Sequence, residues 1–313
     1  MLGLVIRGSR NIFTVKSDGD GAELECRIKG KVLKGVEGFY NPLAPGDRVR
    51  FESDSAGEGL ILGLEERSNL FARFNQKGQA PQLLAANVDQ ILCVTTPSSP
   101  PFRPRFVDRV LVQAEIAGIE PVIICNKHDL SVEDPDVEER LEDFNRIGYR
   151  VLRVSAKTGE GMDRFRRLAQ GRISALLGQS GVGKSSLINA LVPGQNIPVG
   201  ALNEKYDRGN HTTTISLMVE VPALAGESGA GTRVIDTPGI RRFVPHGIGP
   251  GDLIHYMREF ADLSGRCVYG LSCSHATEPG CKIMEAVHAG VIHEDRYESY
   301  LRIRDELQDP SRA

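Results

Sequence analysis

The chain has 313 residues, of which 40% are hydrophobic and 25% charged, with 34 glycines and a net charge of −3. This is the composition of a globular protein of two or three domains of about 100–200 residues. It excludes a collagen repeat, a disordered polar chain and nucleic-acid binding by bulk positive charge. No run of about 18 apolar residues suggests a membrane helix. The start, MLGLVIRGSR, lacks the basic leader of a secretory signal. The expectation is a cytoplasmic chain with no membrane contact, in which six cysteines are metal ligands or core residues, not disulfides.

Residues 1–68 read as short strands at 11–15, 22–28, 47–51 and 60–64, separated by Gly, Pro, Asp and Asn. That pattern predicts a small barrel of OB-like type. From residue 87 the period changes. Strands are expected at 88–94, 121–125, 149–154, 173–177 and 232–235, with helices at 105–118, 137–147 and 184–191. Alternation of this kind predicts an α/β domain with a parallel sheet, over 69–249. A basic cluster, Arg103, Arg105 and Arg109, and a loop-like stretch with Arg73 and Lys77 read as solvated surface. From Pro250 to the end, helices surround a Cys/His cluster.

Between the expected strand at 173–177 and helix at 184–191 lies GQSGVGKSS, comprising Gly178, Gln179, Ser180, Gly181, Val182, Gly183, Lys184, Ser185 and Ser186. It fits G-x-x-x-x-G-K-[ST] in the strand–loop–helix context the motif needs. Its glycines let the backbone curl so that N–H groups point inward at an anion. Lys184 is expected on the β- and γ-phosphates and the Ser185 hydroxyl on Mg²⁺.

The base is named by Asn126, Lys127, His128 and Asp129, which read NKHD after an apolar strand. A carboxylate at Asp129 accepts from guanine N1–H and its exocyclic amine together, a pattern adenine lacks. Asn126 supports the N7 and O6 side, and the Lys127 stem lies on the base face. Ser155, Ala156 and Lys157 follow another strand, where the Ala156 N–H suits guanine O6. The expected ligand is therefore GTP or GDP.

Asp236 to Gly239 read DTPG; the aspartate suits Mg²⁺ and the Gly239 N–H the γ-phosphate. Upstream, GNHTTT offers Thr212, Thr213 and Thr214 as the threonine that closes on the nucleotide, with Thr213 or Thr214 preferred. His211 is either a water-orienting residue or a surface histidine of that loop. The residue after Gly239 is Ile240, which can do no water chemistry, so intrinsic turnover is expected to be slow.

NKHD and SAK precede the phosphate loop here, whereas an ordinary GTPase carries them after it. The same sheet forms if old ends are joined across 159–172 and the chain is cut after DTPG. Connectivity then leads from Gly239 toward residues beyond 250. There Cys267, Cys273, His275 and Cys281, in the spacing C-x₅-C-x-H-x₅-C, make a full tetrahedral set for one structural Zn²⁺.

This order of motifs, with AANVD at 85–89 and RYESYL near the end, resembles the circularly permuted, ribosome small-subunit-dependent GTPase A family over the whole chain. The resemblance implies an N-terminal OB domain and a GTPase stimulated by the small (30S) ribosomal subunit. It also implies 16S rRNA contact, a role late in subunit maturation, and a monomer. Two positions depart from the family's pattern. Five residues, not the usual four, separate Cys267 from Cys273, implying a bulged loop. Asn210 stands where a basic residue is common. A nucleotide-dependent RNA-binding adaptor, with incidental hydrolysis, is the competing reading.

Overall fold

The structure, a computed structural model, describes residues 1–9, 11–30, 33, 36–53, 58–130, 135–192, 216–222 and 231–309. Five strands form the N-terminal part: β1 (Leu2–Ser9), β2 (Ile12–Ser17), β3 (Glu23–Ile28), β4 (Arg48–Ser53) and β5 (Glu58–Leu64). They pair in the order β1-β2-β3-β5-β4, and β4 returns to β1, so the barrel is closed. Val15, Cys26, Val49, Phe51 and Ile61 fill it, as the alternation of apolar and polar residues along β2 and β4 requires.

β1 has no counterpart among the expected strands. Its run LGLVI does not alternate because both of its faces are covered. Val5 points into the barrel, whereas Leu4 and Ile6 pack into the core of the neighbouring α/β unit. β1 also meets the α/β sheet edge, with Arg7 opposite Leu217.

A hairpin follows, β6 (Leu70–Asn75) and β7 (Ala80–Ala86), where the sequence suggests a loop. The central sheet holds β8 (Gln90–Thr95), β9 (Glu120–Cys125), β10 (Arg150–Arg153), β11 (Ile173–Gly178), β12 (Leu217–Val221) and β13 (Thr232–Asp236). Their spatial order is β10-β9-β8-β11-β13-β12, parallel except for β12. Helices α1 (Pro104–Ala117) and α2 (Pro135–Arg146) cover one face; α3 (Met162–Ala169) and α4 (Lys184–Leu191) cover the other. The segment 159–172 is therefore more than a join, since α3 buries Phe165 and Leu168 there.

The C-terminal part carries α5 (Arg258–Ala261), α6 (Lys282–His288) and α7 (Glu294–Gln308). It packs on the outer side of α1, with Val112 among Leu253, Phe260 and Ile303. A buried polar network pins it there. Asp108 accepts from Arg296 Nη1 at 2.8 Å and Ser299 Oγ at 2.5 Å. Arg296 also reaches Glu259 at 2.5 and 3.0 Å. Burial alone would lower the Arg296 pKa, but the charges of Glu259 and Asp108 outweigh it and hold the guanidinium well above its ordinary range.

The arginine cluster on α1 is not simply solvated. Arg105 pairs with Glu298, and Arg109 with Glu306 through Nε at 3.0 Å and Nη2 at 2.5 Å. Arg73 lies on β6, not in a loop, and its Nη1 donates to the Arg242 carbonyl at 2.7 Å.

Candidate nucleotide site and metal centre

The loops after β8, β9, β10, β11 and β13 all leave the same, carboxyl end of the parallel strands, where ligands of open α/β sheets bind. β11 ends in Gly178, and α4 starts at Lys184. Gly183 has φ +89, and a Cβ there would fall 2.4 Å from Asn126 Nδ2. Only glycine permits the loop to curl against NKHD in this way. Lys184 is buried and folds its Nζ onto the carbonyls of Gly178 at 3.0 Å and Gln179 at 3.1 Å. Burial lowers its pKa, with the charge of Asp236 opposing.

Asp236 ends β13. Its Oδ2 accepts from Ser185 Oγ at 3.2 Å, while its Oδ1 is buried without a hydrogen-bond partner. Burial raises its pKa, despite Lys184 and Ser185. An orphaned carboxylate oxygen beside a serine hydroxyl is the donor set that a hard cation satisfies. Gly239 packs on the phosphate loop, where a Cβ would stand 2.9 Å from Ser180 N, and Ile240 N–H donates to Gly178 O at 3.1 Å. His211, Thr212, Thr213 and Thr214, with Asn210, lie outside the described residues.

On the base side, Asp129 Oδ1 accepts from Ser155 Oγ at 2.6 Å, so the two motifs reach one another. Asn126 acts as a strut. Its Nδ2 donates to Val182 O at 2.9 Å, and its Oδ1 accepts from Ala156 N at 3.2 Å. NKHD, SAK and the phosphate loop are thereby tied through one amide. Lys127, at φ +59, sends its Nζ to Gly181 O at 2.6 Å and Ser99 O at 2.7 Å. His128 stands 3.8 Å from Glu138 and 4.0 Å from Glu160, and Lys157 is exposed. The Ser99 carbonyl thereby brings the loop after β8 up to Lys127 and the phosphate loop.

The four metal-ligand candidates come together. The donor atoms of Cys267, Cys273, His275 and Cys281 lie within 4.8 Å of one another, and all four residues are buried. His275 Nδ1 is 3.5 Å from Cys267 Sγ and 3.4 Å from Cys281 Sγ. Cys267 belongs to the cluster despite its longer loop, which projects outward with Val268 and Leu271 exposed. Lys282 N–H donates to Cys267 Sγ at 3.3 Å, and Tyr297 Oη to the His275 carbonyl at 2.8 Å. Three sulfurs and one imidazole nitrogen at this spacing can hold one metal ion.

A phosphate loop on β11, a guanine-type reader on β9 and an aspartate on β13, met in this chain order, define a circularly permuted GTPase. The model of the RsgA GTPase family matches residues 64–244. Relatives named small ribosomal subunit biogenesis GTPase RsgA come from Bacteroides fragilis and Chlorobaculum parvum. The first is 38% identical, covering 99% of this chain and 98% of that protein. The second is 39% identical, covering 98% of each. Among solved structures, YjeQ from Thermotoga maritima aligns with a TM-score of 0.72 at 33% identity, covering 98% of each chain. YloQ, described as a circularly permuted GTPase, aligns at 0.65 and 27% identity, over 99% of this chain and 95% of that one. The chain belongs to the RsgA GTPase family, and it is a GTP hydrolase.

Proposed function

We propose that this GTPase is an assembly factor of the small ribosomal subunit. It binds the 30S particle and its 16S rRNA, hydrolyses GTP slowly alone and faster on the subunit, and acts late in maturation. The observation that carries this reading is the full-length likeness to proteins named for small-subunit biogenesis, in a chain whose guanine-nucleotide motifs converge at the carboxyl ends of the parallel strands. Ile240, where a glutamine could orient water, supports slow intrinsic turnover.

In this reading the parts are a barrel (1–68), a GTPase (69–249) and a metal-binding helical region (250–313). Asp129 accepts from guanine N1–H and the exocyclic amine while Ser155 holds it in place. Lys184 turns from the carbonyls of Gly178 and Gln179 to the β- and γ-phosphates, which solvate its ammonium better. Ser185 and Asp236 would hold Mg²⁺, a role that fits the buried, unpartnered Asp236 Oδ1; the ion, when bound, offsets phosphate charge. The Gly239 N–H meets the γ-phosphate. Thr213 or Thr214 closes over it, and His211 orients the attacking water. Cys267, Cys273, His275 and Cys281 would hold one structural Zn²⁺. The protein works in the cytoplasm as a monomer.

GTP turnover with and without purified small subunits tests the reading. A manyfold rise is expected. Unchanged turnover with tight subunit binding would leave the RNA-binding adaptor instead.

A further inference from the structure

A cavity of about 480 Å³ opens beside the phosphate loop but away from the guanine reader. Gln179 of the loop forms one wall, the start of α1 with Phe102 and Arg103 a second, and Arg241 to Phe243 a third. The size is that of a pocket for a small organic group. Of the charged residues around it, Arg105 and Arg109 are matched by Glu298 and Glu306, Arg242 has a partner of its own, and Asp295 sits 3.8 Å from Arg140 Nε. Arg103 and Arg241 are exposed and form no ion pair among the described residues. The remaining walls are aromatic: Phe106 and Phe243 are buried, and Phe102 is half-buried. One partly exposed aromatic ring, Phe102, backed by buried phenylalanines, with unmatched guanidinium groups beside it, is chemistry that takes an unstacked base and its phosphate.

We propose that this cavity takes one unpaired nucleotide of RNA, its base stacked on Phe102 and its phosphate between Arg103 and Arg241. Both free charges lie at the mouth. A strand can therefore run past the rim and continue on either side, which a deep site for a free nucleotide would not allow. The proposal rests on the small-subunit reading above and gives it a contact. Residues 241–243 follow Gly239 directly, and Ile240 N–H is already bonded to the phosphate loop. A nucleotide wedged between Gln179 and Arg241 would hold that segment against the loop. Hydrolysis would then respond to rRNA at a site next to the γ-phosphate.

The test uses the full chain saturated with a non-hydrolysable GTP analogue, as wild type, Arg103→Ala, Arg241→Ala and Phe102→Ala. Binding is measured across a KCl series to small subunits and to an oligouridine of about 12 nucleotides. Each arginine variant is expected to weaken both by about 5- to 10-fold and to flatten the log–log salt slope by about 1. Phe102→Ala is expected to weaken both by about 10-fold and leave the slope alone, because stacking releases no counterions. Basal GTP turnover without subunits stays at wild-type level in all three, while subunit-stimulated turnover falls. Unchanged affinity and slope in the three variants overturn the proposal. So does AMP binding in place of oligouridine, which would mark a free-nucleotide site. Wild type that fails to bind small subunits refutes the small-subunit reading instead, and the oligouridine measurement still reads the cavity.

Discussion

Replacing Asp236 by Asn is expected to stabilise the empty protein and to destabilise the loaded one. The side chain is buried with Oδ1 unpartnered, and its pKa is raised by burial even with Lys184 and Ser185 counted. A carboxyl whose folded pKa is raised contributes stability that is fully present below the ordinary value of 3.8 and lost as pH rises through the folded pKa. At pH 7 that stability is gone, and a neutral amide of nearly the same shape recovers it. The amide still leaves one polar atom unpartnered and takes away the charge that favours the Lys184 ammonium, so only the carboxylate's desolvation is recovered, and a net gain of about 1 kcal/mol and about 2–4 °C in Tm is expected. The assay is thermal unfolding with EDTA and without nucleotide, repeated from pH 7 downward. The advantage should shrink as pH falls and vanish below the ordinary carboxylate range. With Mg²⁺ and GDP at about 100 times Kd, wild type gains about 2.7 kcal/mol and Asp236→Asn gains less, so the order of the two melting temperatures reverses. A variant less stable than wild type in EDTA at pH 7 would refute the assignment of Asp236 as a strained, cation-ready group.

Asp129→Asn is expected to shift preference from guanine toward xanthine nucleotides, since an amide donates where the carboxylate only accepts; competition against labelled GDP reads this out. Elemental analysis of protein purified without chelator should find one zinc per chain, and Cys267→Ser should lose it together with near-UV ellipticity from Tyr297 and Tyr300, which pack at the cluster. Arg296→Met should cost about 3–5 kcal/mol in denaturant unfolding, because Asp108 and Glu259 are left buried without their counter-charge.

The candidate nucleotide site was legible because its motifs are local. Gly178 to Ser186 occupy consecutive positions between a strand and a helix, and four spaced donors, Cys267 to Cys281, close on one point. What sequence could not supply was contact between distant segments. β1 hides because Val5 and Ile6 serve two different cores. β6 and β7 read as loop because Arg73 and Gln82 stand opposite one another in a hairpin that is covered by the segment after Gly239. The arginines of α1 read as solvated because their partners, Glu298 and Glu306, are 193 and 197 residues away.

Chain connectivity from Gly239 points to the metal-binding region, yet packing sends the same segment elsewhere first. Phe243 sits against Phe71 at 5.7 Å and Phe106 at 6.4 Å, and Phe74 N–H donates to Val244 O at 3.0 Å. The hairpin in turn holds the barrel, with Leu83 bonded to both ends of the Asn41 amide and Ala86 N–H to Pro45 O. The metal-binding region, by contrast, is fastened to α1 through the fully buried Asp108–Arg296 pair. Moving it would separate charges that have no water to replace them. The hairpin meets that segment through two hydrogen bonds and aromatic contact, each worth about 1 kcal/mol, while its Phe71, Leu84 and Ala85 stay in the α/β core with Leu4 and Ile6 of β1. A ligand shifts an equilibrium only by its differential affinity for the two states, so the γ-phosphate contact proposed for Gly239 would act first on the pairing of residues 242–244 with the hairpin, and falls short of what the α1–α7 pin demands.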